Sequence, residues 1–305
     1  MPTSSNSIQS EIDAIIARAM AEYSAARGIA PDPFADLADA IVADVTQTTQ
    51  EVEEDNTPDE IPANSSSLLV EEQTSRFNSA LWFDTVQSKT VTLAGLGGIG
   101  SYISFLLARL HVAGLILYDD DIVEAGNMSG QLYESKHIGR NKADSCADVV
   151  ERFSNYYNIT AMDERFTANS TPTDIMICGF DNMEARKVFY NRWKQWLGNY
   201  DEVERQKCLF IDGRLAAENL QILCIRGDDT VSMARYEKDF LFSDAEADET
   251  VCSYKQTSFI ANMIGSLIVN LFVNFCANQC NPLVPRDLPF YTEYNAETFY
   301  FKVIN

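Results

Sequence analysis

The chain has 305 residues, with 45 acidic and 23 basic side chains and a formal charge of −22. Such a surface repels phosphate backbones and sets the chain against DNA or RNA binding. Its seven cysteines are odd in number and follow no framework spacing, and paired C-x-x-C motifs are absent; reduced thiols in a cytoplasmic setting are expected, with neither disulfides nor structural zinc.

The charge is concentrated early. Residues 1–88 hold 16 acidic and 3 basic side chains, a net of −13, which leaves −9 for the remainder. No basic-then-apolar signal pattern opens the chain. Ile8, Ile12, Ile15, Ile16 and Met20 form a helical stripe within residues 7–27. Asp32-Pro33 interrupts it, and residues 34–45 can form a second short helix. Residues 46–67 are polar, acidic and poor in large apolar side chains, which reads as a flexible linker. The division expected is therefore an acidic helical extension over 1–67 and a folded domain over 68–305. The extension reads either as a solvated tail or as a docking arm for a partner.

Phe77, Leu81 and Trp82 lead into the first strand, Val91-Thr-Leu-Ala94, which ends in Gly95-x-Gly97-Gly98-x-Gly100. Ile99, Ile103, Leu106 and Leu107 then set a helical period. This is the strand–turn–helix context of a dinucleotide fingerprint, in which glycines admit a phosphate and the helix N-terminus supplies free N–H groups. A second apolar run, Leu115-Ile-Leu-Tyr118, delivers Asp119-Asp-Asp121 to where a ribose would sit.

Downstream, residues 142–153 read as a helix, 159–166 and 174–178 as strands, and 186–196 as a helix. Residues 208–212, 218–225 and 232–236 read as strands. Residues 258–275 form an apolar helix, and 290–294 pairs with 299–303 as a terminal hairpin. Phe259 to Ala277 is the stretch closest to a membrane span, but Asn262, Asn270 and Asn274 break it before the roughly 20 residues a bilayer needs. The alternation implies an α/β fold with a mostly parallel sheet covered on both faces, its ligand at the carboxyl ends of the strands.

Several motifs follow the glycine turn in a fixed order: Asp119-Asp-Asp121 through Asn127-Met-Ser-Gly-Gln131, then Gly139-Arg-Asn-Lys142, then Asp181-Asn-Met-Glu-Ala-Arg186. Together they resemble the ThiF/MoeB superfamily, whose pattern is G-x-G-G-x-G, D-x-D-x-V-x-x-x-N, G-x-x-K and D-N-x-x-x-R. The resemblance runs from about Arg76 to about Cys276. It implies a Rossmann-like adenylation fold, ATP and Mg²⁺, a small ubiquitin-like protein or peptide as substrate, and a homodimer. The wording Asn127-Met-Ser-Gly-Gln131 is also similar to ThiF-type proteins encoded by some bacteriophages.

The resemblance assigns roles. Gly95, Gly97, Gly98 and Gly100 line the sugar and phosphates, together with Asn127 and Gln131. Asp119 or Asp121 accepts from ribose hydroxyls, Lys142 meets phosphate, and Asp181 positions magnesium, a hard oxygen ligand for a hard cation. As a strand-end residue before a helix, Asp181 can also serve as a helix N-cap. Cys252 stands directly ahead of the long apolar helix, where small single-chain activators of ubiquitin-fold modifiers carry a thioester cysteine. A helix dipole and Lys255 would favour its thiolate, and burial as an inert thiol is the competing expectation. Cys146, Cys178, Cys208 and Cys224 fall in elements and are expected in the core.

Two departures stand out. Gly130 replaces the arginine before Gln131, and Ser79 replaces the second arginine of an N-terminal element that here retains Arg76. Either Arg76, Arg140 or Arg186 takes over that charge, or adenylation is weakened. The expected activity is ATP-dependent adenylation of a C-terminal carboxylate, with possible transfer to Cys252. The alternatives are a catalytically impaired nucleotide-binding interaction protein and a NAD-dependent oxidoreductase.

Overall fold

A computed structural model of the protein describes residues 70, 72–77, 79–242 and 256–305. The expected N-terminal helices, the acidic linker, Cys252 and Lys255 lie outside the described residues. A short helix α1 (Phe83–Gln87) leads into β1 (Thr90–Ala94). The core continues through α2 (Gly98–Arg109), β2 (Gly114–Tyr118), α3 (Lys142–Ser154), β3 (Ile159–Met162), β4 (Ile175–Cys178) and α4 (Met183–Leu197). After a single turn, α5 (Glu202–Arg205), come β5 (Leu209–Ala216), β6 (Asn219–Arg226), α6 (Thr230–Asp239), α7 (Ser258–Cys280), β7 (Tyr291–Asn295) and β8 (Tyr300–Ile304).

Eight strands form one sheet in the order β3-β2-β1-β4-β5-β6-β7-β8. The first five are mutually parallel, and β6 to β8 extend the sheet antiparallel. The parallel strands are apolar almost throughout because helices cover both faces. β4 is buried at every residue. Side chains alternate between two cores: Ile175 and Ile177 point to the face carrying α2, α3 and α7, while Met176 and Cys178 point to the face carrying α4 and α6.

Three sequence expectations need correction. Residues 232–236 are not a strand but part of α6, because the Asp229 side chain caps the helix, accepting from Ser232 N at 2.9 Å. Met233 and Tyr236, three apart, are then buried together on one face. The strand expected over 159–166 stops at Met162, and Phe166 instead packs edge-on against Tyr118 and Phe189 from a loop. The third concerns the apolar helix, which runs on to Cys280 and is long and apolar enough by composition to cross a bilayer. Its burial assigns it to the core: Ile264, Ile268, Phe272 and Cys276 are fully enclosed, packed with the α2 side of the sheet.

Strand order reverses between β1 and β4, where ligands of such sheets bind outside the carboxyl ends. There the chain turns from β1 into α2 with no room to spare. Gly95 has φ +80°, and a Cβ on it would sit 3.0 Å from the Gly179 carbonyl and Phe180 nitrogen after β4. A Cβ on Gly100 would lie inside the Gly95 carbonyl group. Gly100→Ala is therefore expected to cost about 1–3 kcal/mol by overpacking. Gly126→Ala, where nothing lies within 4 Å, should stay within about 0.5 kcal/mol. Urea unfolding of both variants checks this, and equal stability would contradict the tight turn.

Candidate functional site

The site is built from five chain segments that meet at the β1/β4 switch point. α2 begins with Gly97 as its cap residue, so no side-chain cap bond serves its first turn. Asp119, at the end of β2, ties this turn down. Its Oδ2 accepts from Leu96 N at 2.6 Å and its Oδ1 from Asp121 N at 2.9 Å. Burial raises the Asp119 carboxyl above its usual range, opposed by the Lys142 charge and by those two backbone donors. Asp119 is thus first a brace of the turn. Asp121 is more exposed and presents its carboxylate outward, paired through Oδ2 with Lys142 Nζ at 2.7 Å.

Lys142 opens α3, whose cap is Asn141; the Asn141 side chain accepts from Ala143 N at 2.7 Å. Lys142 is 8 % exposed and is also held through its backbone N–H to Asp121 O. An exposed helix-start lysine is therefore not what the fold builds: the ammonium is set into the site floor. Asn127 spends its Oδ1 on Glu124 N at 2.8 Å, shaping the 3₁₀ turn Ala125–Ser129 that carries the chain to Gln131. Gln131 Oε1 is buried with no hydrogen-bond partner among the described residues, and its Nε2 lies 3.8 Å from where a Gly97 Cβ would be. An unpaired buried acceptor beside a glycine turn fits a ligand hydroxyl or amine.

After β4, Gly179 N donates to Ala94 O at 3.0 Å, locking the two strand ends side by side. The N-cap of α4 is Asn182, whose Oδ1 accepts from Ala185 N at 2.8 Å. The capping role considered for Asp181 is thus taken by its neighbour. Asp181 remains exposed, its Oδ1 accepting from Asn182 Nδ2 at 3.2 Å. Its remaining oxygen lone pairs could hold a divalent cation.

Arg186 is not a replacement phosphate cation. It is buried and pairs with Asp212, itself fully enclosed in the middle of β5, and it donates to Gly213 O at 3.1 Å and to Phe180 O. Asp212 Oδ2 accepts from Arg214 Nε at 2.8 Å and from Tyr236 OH at 2.9 Å. Each carboxylate oxygen is satisfied, as a buried charge requires. The bond to Phe180 O fixes the loop that presents Asp181. Arg76 and Arg140 are both exposed, so Arg140, next to the Asn141-Lys142 helix start, is the cation nearest in sequence to the site floor. Sequence reasoning placed Asp212 at a strand end without seeing its charge network. A carboxylate closing an apolar strand, with an arginine two residues on, was the available signal.

Two other features do not belong to this chemistry. A shallow cleft of about 800 Å³ beside Lys89, Lys207 and Arg226 lies at the amino ends of the parallel strands, the wrong end for a ligand of this sheet. Glu134, His137 and Asp148 cluster, but Lys136 and Arg152 neutralise the carboxylates, which makes this an ion-pair group. Cys146, Cys178, Cys208 and Cys224 are buried as expected, and Cys276 is buried as well; burial pushes Cys146 and Cys178 up to about 11 and Cys208, Cys224 and Cys276 up to about 12. At neutral pH these are unreactive thiols. Cys280 is exposed.

Asp212→Asn keeps the shape but leaves the buried Arg186 and the partly buried Arg214 without their counter-charge. It should cost about 3–5 kcal/mol in urea unfolding. A loss below about 1 kcal/mol would contradict the account of this network.

Residues 72–304 match the ThiF family. Ubiquitin-like modifier-activating enzyme 5 of Drosophila ananassae is 31% identical over 128 residues, which cover 36% of this chain and 32% of that protein. The Caenorhabditis briggsae enzyme of the same name is 29% identical over 120 residues, covering 34% and 28%. The matched part is about a third of the length of these curated relatives. Among solved structures, PaaA is similar with a TM-score of 0.58 at 13% identity, covering 99% of this chain and 90% of that one. E. coli MccB with ATP gives a TM-score of 0.54 at 14% identity, covering 91% and 83%. MccB with MccA-N7isoASN gives 0.55 at 16% identity, covering 82% and 80%. At these identities the structures speak for the fold.

Proposed function

The chain belongs to the ThiF family, and from that premise we propose that it is an ATP-dependent adenylating enzyme acting on the C-terminal carboxylate of a small ubiquitin-like protein or a peptide. The observation that carries this reading is the glycine turn at the β1/β4 switch point with three unlike groups around it. These are the buried ammonium of Lys142, the unpaired Gln131 Oε1, and Asp181, which Asn182 has relieved of capping. A dehydrogenase has no use for Lys142 and Asp181 together at this turn. The relatives named as modifier-activating enzymes and the MccB structures determined with ATP or with MccA-N7isoASN support the same class.

The chemistry follows from the donor set. A carboxylate is a poor acyl donor. Attack of its oxygen on the α-phosphorus of ATP forms a P–O bond, breaks the α–β bridge and releases pyrophosphate, leaving a mixed acyl–phosphate anhydride with a good leaving group. Gly97 and Gly98 let the backbone approach the phosphates, and the free N–H groups of α2 add positive potential. Lys142, held by Asp121, has donors to spare for phosphate oxygen. Asp181 would hold Mg²⁺, which supplies charge neutralisation to the departing pyrophosphate. Asp121 presents a carboxylate for a ribose diol, and Asp119 keeps the turn in place.

Pyrophosphate exchange tests the reaction. Exchange of label from pyrophosphate into ATP should require Mg²⁺ and a peptide with a free C-terminal carboxylate. Asp181→Ala and Lys142→Ala should each lower it by about 1–3 kcal/mol in transition-state stabilisation, roughly fivefold to 150-fold. ATP binding without exchange would instead favour a nucleotide-binding module that has lost catalysis. The engagement of Arg186 by Asp212 is the observation that favours this second reading, because it removes one candidate for the charge missing at Gly130.

We place a thioester step on Cys252 as the finer part of the proposal. Its thiolate would attack the activated carbonyl and release AMP. Native alkylation with iodoacetamide at neutral pH should then label Cys252 first, with Cys280 slower and the five buried thiols protected. Cys252→Ala should keep exchange and lose any thiol-sensitive adduct. Protection of Cys252 until the protein unfolds would contradict the step.

A further inference from the structure

The first turn of α2 is covered by a side chain that no motif includes. Gln256 stands immediately before Thr257, the cap residue of α7, and is held by a parallel bridge to Ala217 beyond the end of β5. A Cβ on Gly98 would lie 2.6 Å from the Gln256 carboxamide carbon and 2.8 Å from its Nε2. A Cβ on Gly130 would lie 3.0 Å from Gln256 Cγ and 3.1 Å from Nε2. The amide is therefore wedged between Gly98 and Gly130, two glycines 32 positions apart. The neighbouring turn residue Gly97 faces a second carboxamide, Gln131, whose Oε1 is buried without a partner. Two neutral amides thus line one glycine turn, each able to donate and to accept.

We propose that Gln256 is a nucleotide-contacting residue, its carboxamide filling the space between Gly98 and Gly130 and hydrogen-bonding the phosphate-proximal part of the nucleotide, so that it and a side chain at position 130 exclude one another. The inference rests on the nucleotide reading given above. It relates glycine at two unlinked positions to one cause: with the amide in place, a Cβ at Gly98 would collide with it and a Cβ at Gly130 would press against it. It also makes this face of the site neutral, where a long cationic side chain at 130 would put a charge into the same volume.

A double-mutant cycle with two readouts tests it on the full-length protein. Without nucleotide, Gly130→Arg should lower the thermal midpoint when Gln256 is present and should be relieved in Gly130→Arg/Gln256→Ala, because the amide no longer occupies the space. With ATP and Mg²⁺, calorimetry should show Gln256→Ala weakening binding about fivefold to tenfold, the size of one neutral hydrogen bond. Gln256→Glu, which keeps the volume and sets a carboxylate against phosphate, should weaken it further. If the wild type binds ATP while Gln256→Ala and Gln256→Glu both bind it within twofold, the contact is absent and the proposal fails although the nucleotide reading stands. If the Gly130 and Gln256 midpoint changes simply add, mutual exclusion is wrong. If the wild type binds no ATP, the nucleotide reading itself fails and the contact with it.

Discussion

Everything at the working end of this sheet depends on how closely α2 can start behind β1. The Gly95 carbonyl crowds the place a Gly100 Cβ would take, and a Cβ on Gly95 would press on the peptide that follows Gly179. These contacts bring two strand ends and one helix N-terminus within a few ångströms of a common point. The helix then presents a first turn without a side-chain cap to a space bordered by backbone and by the Gln131 and Gln256 amides. A phosphate suits such a space, because glycines let it approach the backbone donors and the side chains beside them, Gln131 and Gln256, are neutral amides. Asp119 reinforces the arrangement from the next strand by accepting from Leu96 N, at the cost of partial burial of its own charge.

A second constraint lies beneath the first. Asp212 is enclosed in the middle of β5 and would be costly if unpaired, so Arg186, Arg214 and Tyr236 converge on it. Arg186 also reaches the Phe180 carbonyl, which links the buried charge to the loop carrying Asp181. The arginine of the D-N-x-x-x-R element thus acts on the candidate metal ligand through backbone, from inside the protein. Asn182 completes the division of labour by capping α4, which leaves the Asp181 carboxylate for chemistry. Residue types that sequence alone offers as alternatives for one job are sorted here by burial.

How much of this could be read in the sequence depended on the range of the interaction. The glycine turn, the strand before it and the helix after it are encoded within a dozen residues, and period and glycine spacing expose them. The lysine at a helix start and the Asp-Asn pair are likewise local, so their positions were legible, although the burial of Lys142 was not. The Asp212 network joins β4, β5, α4 and α6, and no local pattern announces which buried charges will meet. Gln256 was invisible for the same reason, since its contacts are with Gly98 and Gly130, far off in the chain. α6 was misread because Val231, Met233 and Tyr236 mimic strand composition, while the deciding cap by Asp229 is a geometric fact. The antiparallel half of the sheet is tied to the parallel half through β5–β6 pairing, whose two-residue connection requires Ala217 at φ +55°, a conformation its residue type does not advertise.

The central claim is that this turn holds the phosphates of ATP together with a divalent cation. Isothermal titration of the purified chain with ATP, with and without Mg²⁺, and separately with NAD⁺, tests it most directly. The account requires saturable binding of one ATP per chain that is tightened by Mg²⁺, and no comparable heat with NAD⁺. Binding of NAD⁺ in preference to ATP, or ATP binding indifferent to Mg²⁺, would contradict it.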